Sequence, residues 1–275
     1  MHSDLTNYSI LVFEKVLKFF TYICIRIRSN FYFADSKGNV YRLPYNMKEE
    51  WERPEVMNYN SIISPKDFQD NAFLFREDYI KKIMIKTADW QLEHPRHKQT
   101  NWTNGAFYAG VYAAWETTRS KKMYNAMMAV GNDSTQWQPG KRWFHADDIA
   151  ISQMYIDLYR QERRPEMLNA TIDALTRFQK ESYPTSGKKD VIKWWWCDAL
   201  FMAPPVLVKL GVVTNDNSYF EYNDKCFKEC YDLLYNKKER LFARDLDYVI
   251  KENGKGRKEA NGKLIFWGRG NGWVM

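Results

Sequence analysis

From about residue 76 onward, apolar side chains recur at helical rather than strand spacing, and they do so in pairs of segments. DYIKKIMIKTADWQLEH (78–94) places Ile80, Ile83, Ile85 and Trp90 on roughly one side. GAFYAGVYAAWETT (105–118) is small and aromatic nearly all round, which predicts a helix buried on both sides, and KKMYNAMMAV (121–130) makes a shorter partner. The alternation returns as DDIAISQMYIDLYRQ (147–161) and PEMLNATIDALTRFQKES (165–182), with Pro165 suited to the first helical position. It returns again as DALFMAPPVLVKLG (198–211), closing on Gly211, and SYFEYNDKCFKECYDLLYN (218–236). In each pair the first helix is apolar and rich in small residues, and the second is amphipathic. An inner and an outer ring of helices need that asymmetry.

Two-residue alternation is confined to short runs such as NVYRL (39–43), which disfavours an all-β or parallel α/β fold. Residues 30–75, with Tyr and Phe runs broken by Gly38, Pro44, Pro54 and Pro65, read as irregular structure. The expected division is therefore an irregular segment 1–75 of uncertain origin and a helical domain 76–275. The first thirty residues are apolar, but Asp4, Glu14, Lys15 and Lys18 interrupt the run, a poor match to a secretory signal. The run is also too short and too charged for a stable membrane span. An amphipathic helix with a basic end, a degenerate signal, and a start codon upstream of the real domain all fit it.

Charge and composition narrow the function classes. The net charge of +7 over 275 residues suits an anionic partner, yet Lys37, Arg96, Lys121, Arg163, Lys188, Lys237 and Lys255 are scattered and form no stripe. With no helix-turn-helix, zinc-finger or ribonucleoprotein signature, nucleic acid is not the expected partner. Four cysteines give no framework: Cys24 and Cys197 stand alone, and Cys226 and Cys230, four apart, lack the His or Cys pattern that completes a zinc set. No metal or other cofactor is expected. The aromatic content is unusual: 11 Trp, 18 Tyr and 16 Phe exceed what a core needs, and aromatic planes suit sugar rings.

Polar and aromatic residues gather at four helix starts. Trp102 and Asn104 precede the first inner helix, and His145, Asp147 and Asp148 begin the second. Trp194, Trp195, Trp196 and Asp198 begin the third, and Trp267, Arg269, Asn271 and Trp273 begin a fourth. Inner helices running the same way would bring these clusters to one rim. Asp and Asn before helices are also ordinary caps, so one of Asp147 and Asp148 is expected to be a cap.

Two carboxylates across an aromatic-lined pocket are the minimum for acid and base work on a sugar. Asp198, between three tryptophans and Leu200, Phe201 and Met202, is the better candidate for a raised pKa; its partner beside His145 has the more polar setting. Arg269 can clamp a substrate carboxylate, and Trp267 and Trp273 can be sugar platforms. Three glycines around Arg269 suggest backbone brought close to something.

NWTNGAFYAGVYAAWE, HADDIAISQMYIDLY, WWCDALFMAPP, LFARDLD and FWGRGNGWV, in that order, resemble the unsaturated uronyl hydrolases of glycoside hydrolase families 105 and 88. The resemblance covers roughly residues 78–275 and is closer to family 105, the unsaturated rhamnogalacturonyl hydrolases. It implies an all-α, (α/α)6 barrel acting on the C4=C5 unsaturated uronic acid that polysaccharide lyases leave at the non-reducing end of pectin-type oligosaccharides. The implied reaction is hydration: an aspartic acid protonates C4, water adds at C5 with help from a carboxylate, and the hemiketal opens to release the remaining sugar. By position Asp198 matches the acid/base, Asp147 is the preferred second carboxylate with Asp148 the alternative, and Arg269 and Trp273 match substrate-facing residues. Trp102, Asn104, His145, Trp196, Trp267 and Asn271 complete the expected binding set. The resemblance also implies work outside the cytoplasm, while the N-terminus leaves a cytoplasmic place open.

There are two departures. Relatives carry a His shortly after the Leu-Phe of the LFARD segment, where this chain has Ala243, Arg244 and Asp245. They also continue beyond RGNGW with further helices, so the barrel is expected to be incomplete at the C-terminus. Two other readings are a silent carbohydrate-binding remnant of the same fold and a conventional two-carboxylate glycosidase on the same barrel.

Overall fold

The computed structural model describes residues 31–34, 39–43, 56–58, 76–180, 193–251 and 254–275, so the N-terminal thirty residues lie outside the described part. The chain divides into two compact units, one of Met1–His94 with Ala113–Ser120 and the other of Pro95–Tyr112 with Lys121–Met275.

In the first unit, β1 (Phe31–Ala34), β2 (Asn39–Leu43) and β3 (Val56–Asn58) form an antiparallel sheet in the order β1-β2-β3. Phe31 pairs with Leu43 and Val40 with Met57. NVYRL, the period-two run, is β2; its two neighbours lie in the stretch whose pattern predicts irregular structure, because strands of three or four residues carry too few positions to show a period. The unit also holds α1 (Glu77–Glu93), with Met84 and Ala88 fully buried, and the last turns of α2 (Trp102–Thr118).

The second unit carries the beginning of α2, α3 (Lys121–Ala129), a π-helical turn (Val130–Thr135), α4 (Ala146–Ile149), α5 (Ser152–Glu162) and α6 (Glu166–Lys180). After these come α7 (Ala199–Met202), α8 (Pro204–Thr214), α9 (Ser218–Leu234), the short hairpin β4 (Tyr235–Asn236) and β5 (Leu241–Phe242), and α10 (Gly268–Val274).

The expected inner and outer helices are recognisable in this unit. Every residue of α5 from Ser152 to Leu158 is buried, as are Val206, Leu207, Leu210 and Gly211 of α8, and these two helices pack on each other. The amphipathic partners α6 and α9 pack on α5 and α8 through Leu168, Leu175 and Phe178 and through Tyr219, Cys226 and Cys230. A buried Thr171 hydroxyl donates to Ser152 at 2.8 Å, joining α6 to α5.

The direction of the inner helices follows from two cross-links. Gln153, at the start of α5, donates to the Phe201 carbonyl just before α8 at 3.0 Å, and Asp157, one turn later, is ion-paired with Lys209 further along α8. Both links advance in the same sense, so α5 and α8 run the same way. Their N-terminal ends, with Asp147 and Asp198 just upstream, therefore share one side.

Pro204 and Pro205 explain why α7 and α8 are separate. Pro204 removes one backbone donor and starts a fresh helix, which leaves a one-turn α7 immediately after Asp198. Cys197, Cys226 and Cys230 are buried free thiols. Among the described residues no helix is long and apolar enough to cross a membrane, and no group of three His, Cys, Asp or Glu side chains is placed to hold a metal ion.

Candidate active site

Three stretches distant in sequence are laced together to make the site. The Cys197 N–H donates to the Arg244 carbonyl at 2.9 Å, and Trp196 and Asp245 form an antiparallel bridge. Asn271 of α10 then grips β5: its Oδ1 accepts the Phe242 N–H at 2.7 Å and its Nδ2 donates to the Phe242 carbonyl at 3.0 Å. Asp198, Arg244 and Arg269 are neighbours for that reason.

Gly270 makes the closest approach possible. A Cβ there would meet the Trp267 ring at 2.3 Å and the Cys197 sulfur at 2.7 Å, so only glycine lets α10 settle against residue 197. The glycine-rich composition of GRGNG is in part a packing requirement.

The second carboxylate comes from α4. His145 caps this helix, its Nδ1 accepting the Asp147 N–H at 3.3 Å. This corrects the expectation that one of Asp147 and Asp148 is the cap, and it frees the Asp147 carboxylate for other work. An imidazole whose Nδ1 accepts carries its proton on Nε2 when neutral. The His145 ring lies 4.7 Å from the Trp196 ring, and the Trp196 indole beside Asp147 favours the ionised carboxylate.

Asp147 and Asp148 are adjacent in sequence but face different partners. Asp148 accepts from the Arg142 backbone N–H at 2.8 Å and from its guanidinium at 2.9 and 2.5 Å. It holds the 140–142 loop to α4, with the Gly140 N–H donating to the Asp148 carbonyl at 2.7 Å.

Asp147 is pushed up to about 6 by burial first and by the Asp198 charge second, with Arg142 and the Trp196 indole only partly offsetting them. Burial also raises Asp198, but its own backbone N–H and the Arg269 and Arg244 guanidiniums counter this. The sequence assigned Asp147 the more polar setting. Charge balance reverses that: Asp198 has two arginines close by, while Asp147 faces a second carboxylate. Asp198 stands at the N-cap of α7 without a side-chain capping bond, so the capping role does not account for it.

The remaining expected residues divide. Trp102 and Trp273 meet edge to face at 6.4 Å, and Trp273 packs on Phe201 at 4.6 Å, which leaves it 7% exposed, more wall than platform. Trp267 is partly exposed and carries Arg269 4.6 Å from its ring centroid. Asn104 is 8% exposed and donates to the His97 and Lys98 carbonyls at 3.1 and 2.9 Å. Both asparagines expected to bind substrate, Asn104 and Asn271, have amides engaged by backbone, because a buried chain reversal needs side-chain donors and acceptors. Sequence reasoning missed Arg142 and Arg244. The only signal for Arg244 was its place in LFARD, where a His was expected.

Asn271→Ala would leave the Phe242 N–H and carbonyl without partners. A loss of about 2–4 kcal/mol is expected, visible as a lowered thermal midpoint. A midpoint equal to that of the unsubstituted protein would show that water replaces the amide.

The model of glycosyl hydrolase family 88 matches residues 76–275. The chain belongs to this family. It is 43% identical over 208 residues to the unsaturated 3S-rhamnoglycuronyl hydrolase of Formosa agariphila, a match covering 71% of this chain and 54% of the relative. Among solved structures it is similar to a polysaccharide lyase, 25% identical, with a TM-score of 0.63 over 72% of this chain and 57% of that one. A family 88 glycosyl hydrolase from Bacteroides vulgatus, 20% identical, gives a TM-score of 0.57 over 70% and 58%. The helical hairpins thus belong to the all-α, (α/α)6 toroid class. The chain spans about half the length of the curated relatives it matches.

Proposed function

We propose that the site removes a terminal 4,5-unsaturated uronic acid from lyase-generated oligosaccharides whose leaving sugar is rhamnose, by hydrating the C4–C5 double bond. The observation that carries this reading is the Asp147–Asp198 pair, raised by burial and set between an aromatic wall and the exposed arginine Arg269. Family membership and the name of the Formosa relative support the substrate class.

In this reading the pair holds one proton below about pH 6, resting on Asp147, the carboxyl with the higher pKa, and passing to Asp198 as substrate binds. Asp198 delivers that proton to C4 as water adds its oxygen to C5, and the proton released by the water returns to the pair through Asp147. The hemiketal then opens and the leaving sugar departs with its hydroxyl. No net proton is consumed, so the pair is ready for the next turnover. Arg269 takes the uronate carboxylate, and Trp267, which it stacks on, offers a ring face to the sugar.

The ultraviolet absorbance of the double bond tests this. Lyase-generated unsaturated disaccharide incubated with the protein is expected to lose absorbance as sugar is released. The same assay distinguishes the lyase activity carried by one structural neighbour, which would instead raise absorbance on an intact polysaccharide. Release of a saturated uronide without any absorbance change would select ordinary glycosidic cleavage.

A further inference from the structure

Each carboxylate of the pair belongs to a single-turn helix, Asp147 within α4 and Asp198 at the N-cap of α7, and α4 and α7 pack on each other. One turn of helix does not hold its own shape in water, so its position has to come from neighbours. The beginning of α7 is secured by the Cys197 N–H, which donates to the Arg244 carbonyl at 2.9 Å. Its end is held by a different device.

A helical carbonyl accepts from the N–H four residues on, and for Leu200 and Phe201 those residues are Pro204 and Pro205, which have none. In a continuous helix the Pro205 ring would also collide with the Phe201 carbonyl, so that carbonyl has to turn elsewhere. It turns to α5: the Gln153 amide donates to it at 3.0 Å, while the Phe201 ring packs on Trp273. Gln153 is 3% exposed, which leaves water little access to this bond. The start of α5 is itself fixed. Gly105 of α2 lies so close behind the α4–α5 junction that a Cβ there would meet Ala150 and the Ile151 nitrogen at 2.9 Å. One packed corner therefore carries Asp147 on its α4 side and, through Gln153, the end of the helix that begins at Asp198.

We propose that Gln153 is a positioning residue of the site: by tying the proline-broken end of α7 to α5 it holds Asp198 at its working separation from Asp147. This rests on the reading of these two carboxylates as the reacting pair. Gln153 touches neither carboxylate in this scheme and acts only through the backbone of α7.

Gln153→Met, which keeps the length of the side chain and removes the donor, tests the assignment. The value of kcat on unsaturated disaccharide is expected to fall roughly 10–100-fold, as for a reacting group misplaced by about 1 Å, with KM changed less than about twofold. Asp147 should also titrate lower, because the Asp198 charge that helps to raise it moves away; tryptophan fluorescence against pH follows this, with Trp196 beside Asp147 as the reporter. Pro205→Ala added to Gln153→Met gives the Phe201 carbonyl a backbone donor again, so the thermal midpoint should recover while rate and titration do not. Recovery of all three would mean that the carbonyl needs a partner and not a tether to α5, and would overturn the assignment. A parental rate and titration in Gln153→Met would overturn it too. Should Gln153→Met fold poorly, the double variant supplies the folded protein without the tether, and the same two readouts decide. If the unsubstituted protein leaves the disaccharide intact, the hydration reading fails, and the titration judges Gln153 by itself.

Discussion

Asp147→Asn is expected to abolish turnover and stabilise the fold at the same time. Burial and the Asp198 charge raise the Asp147 carboxyl from 3.8 to about 6, so the folded protein binds this proton more tightly than the unfolded chain does. Stability from this group is therefore fully present below about pH 4, declines as pH rises towards 6, and stays low above that. At pH 7 the ionised carboxylate costs on the order of 2 kcal/mol, which Asn removes. Thermal melts should show Asp147→Asn about 5 °C more stable at pH 7 and with less pH dependence between 4 and 6. Turnover should fall at least about a hundredfold, the lower end of what a positioned acid or base supplies. A variant as unstable as the parent at pH 7, or one that keeps its rate, would remove Asp147 from the pair.

Asp198→Asn should have the larger effect on rate, about 10²–10⁴-fold, with little change in binding, because the lost proton transfer belongs to the transition state. It carries a second signature that a merely structural residue would not give. Removing the Asp198 charge takes away one of the two main influences raising Asp147, so Asp147 should titrate below 6 yet above its ordinary 3.8, since burial remains. Trp196 fluorescence against pH can follow this, because its indole lies beside the Asp147 carboxylate. An unchanged midpoint would mean that the two carboxyl groups do not interact, and the shared-proton scheme would fail with it. Asp148→Asn offers a contrast: its carboxylate is engaged by Arg142, so its loss should loosen the 140–142 loop and move the Asp147 titration less than Asp198→Asn does, because its charge weighs less on Asp147.

Much of this protein was legible one segment at a time. Helical period, the inner and outer asymmetry of paired segments, Pro165 near a helix start, and the gathering of Trp and Asp before inner helices are local properties, and each comes from the chemistry of a few neighbouring residues. The helical fold and the four polar clusters follow from them. The sheet of β1, β2 and β3 did not, because such short strands are defined by their partners.

What the tertiary structure alone decided is which side chain does what inside each cluster. The chemistry of their neighbours does not separate Asp147 from Asp148, and the family resemblance only preferred Asp147; Arg142 engages Asp148 and leaves Asp147 beside Asp198. Asn271 reads as a sugar ligand until β5 arrives to occupy its amide. Arg244 enters the site only through the bond from Cys197, made across more than forty residues of chain. Hydrogen bonding and charge pairing at such separations depend on where backbone from elsewhere lands, and local pattern carries no information about that. Sequence by itself determined that this protein is a ring-forming set of helices with carboxylates at their starts. Packing determined which two of those carboxylates face each other.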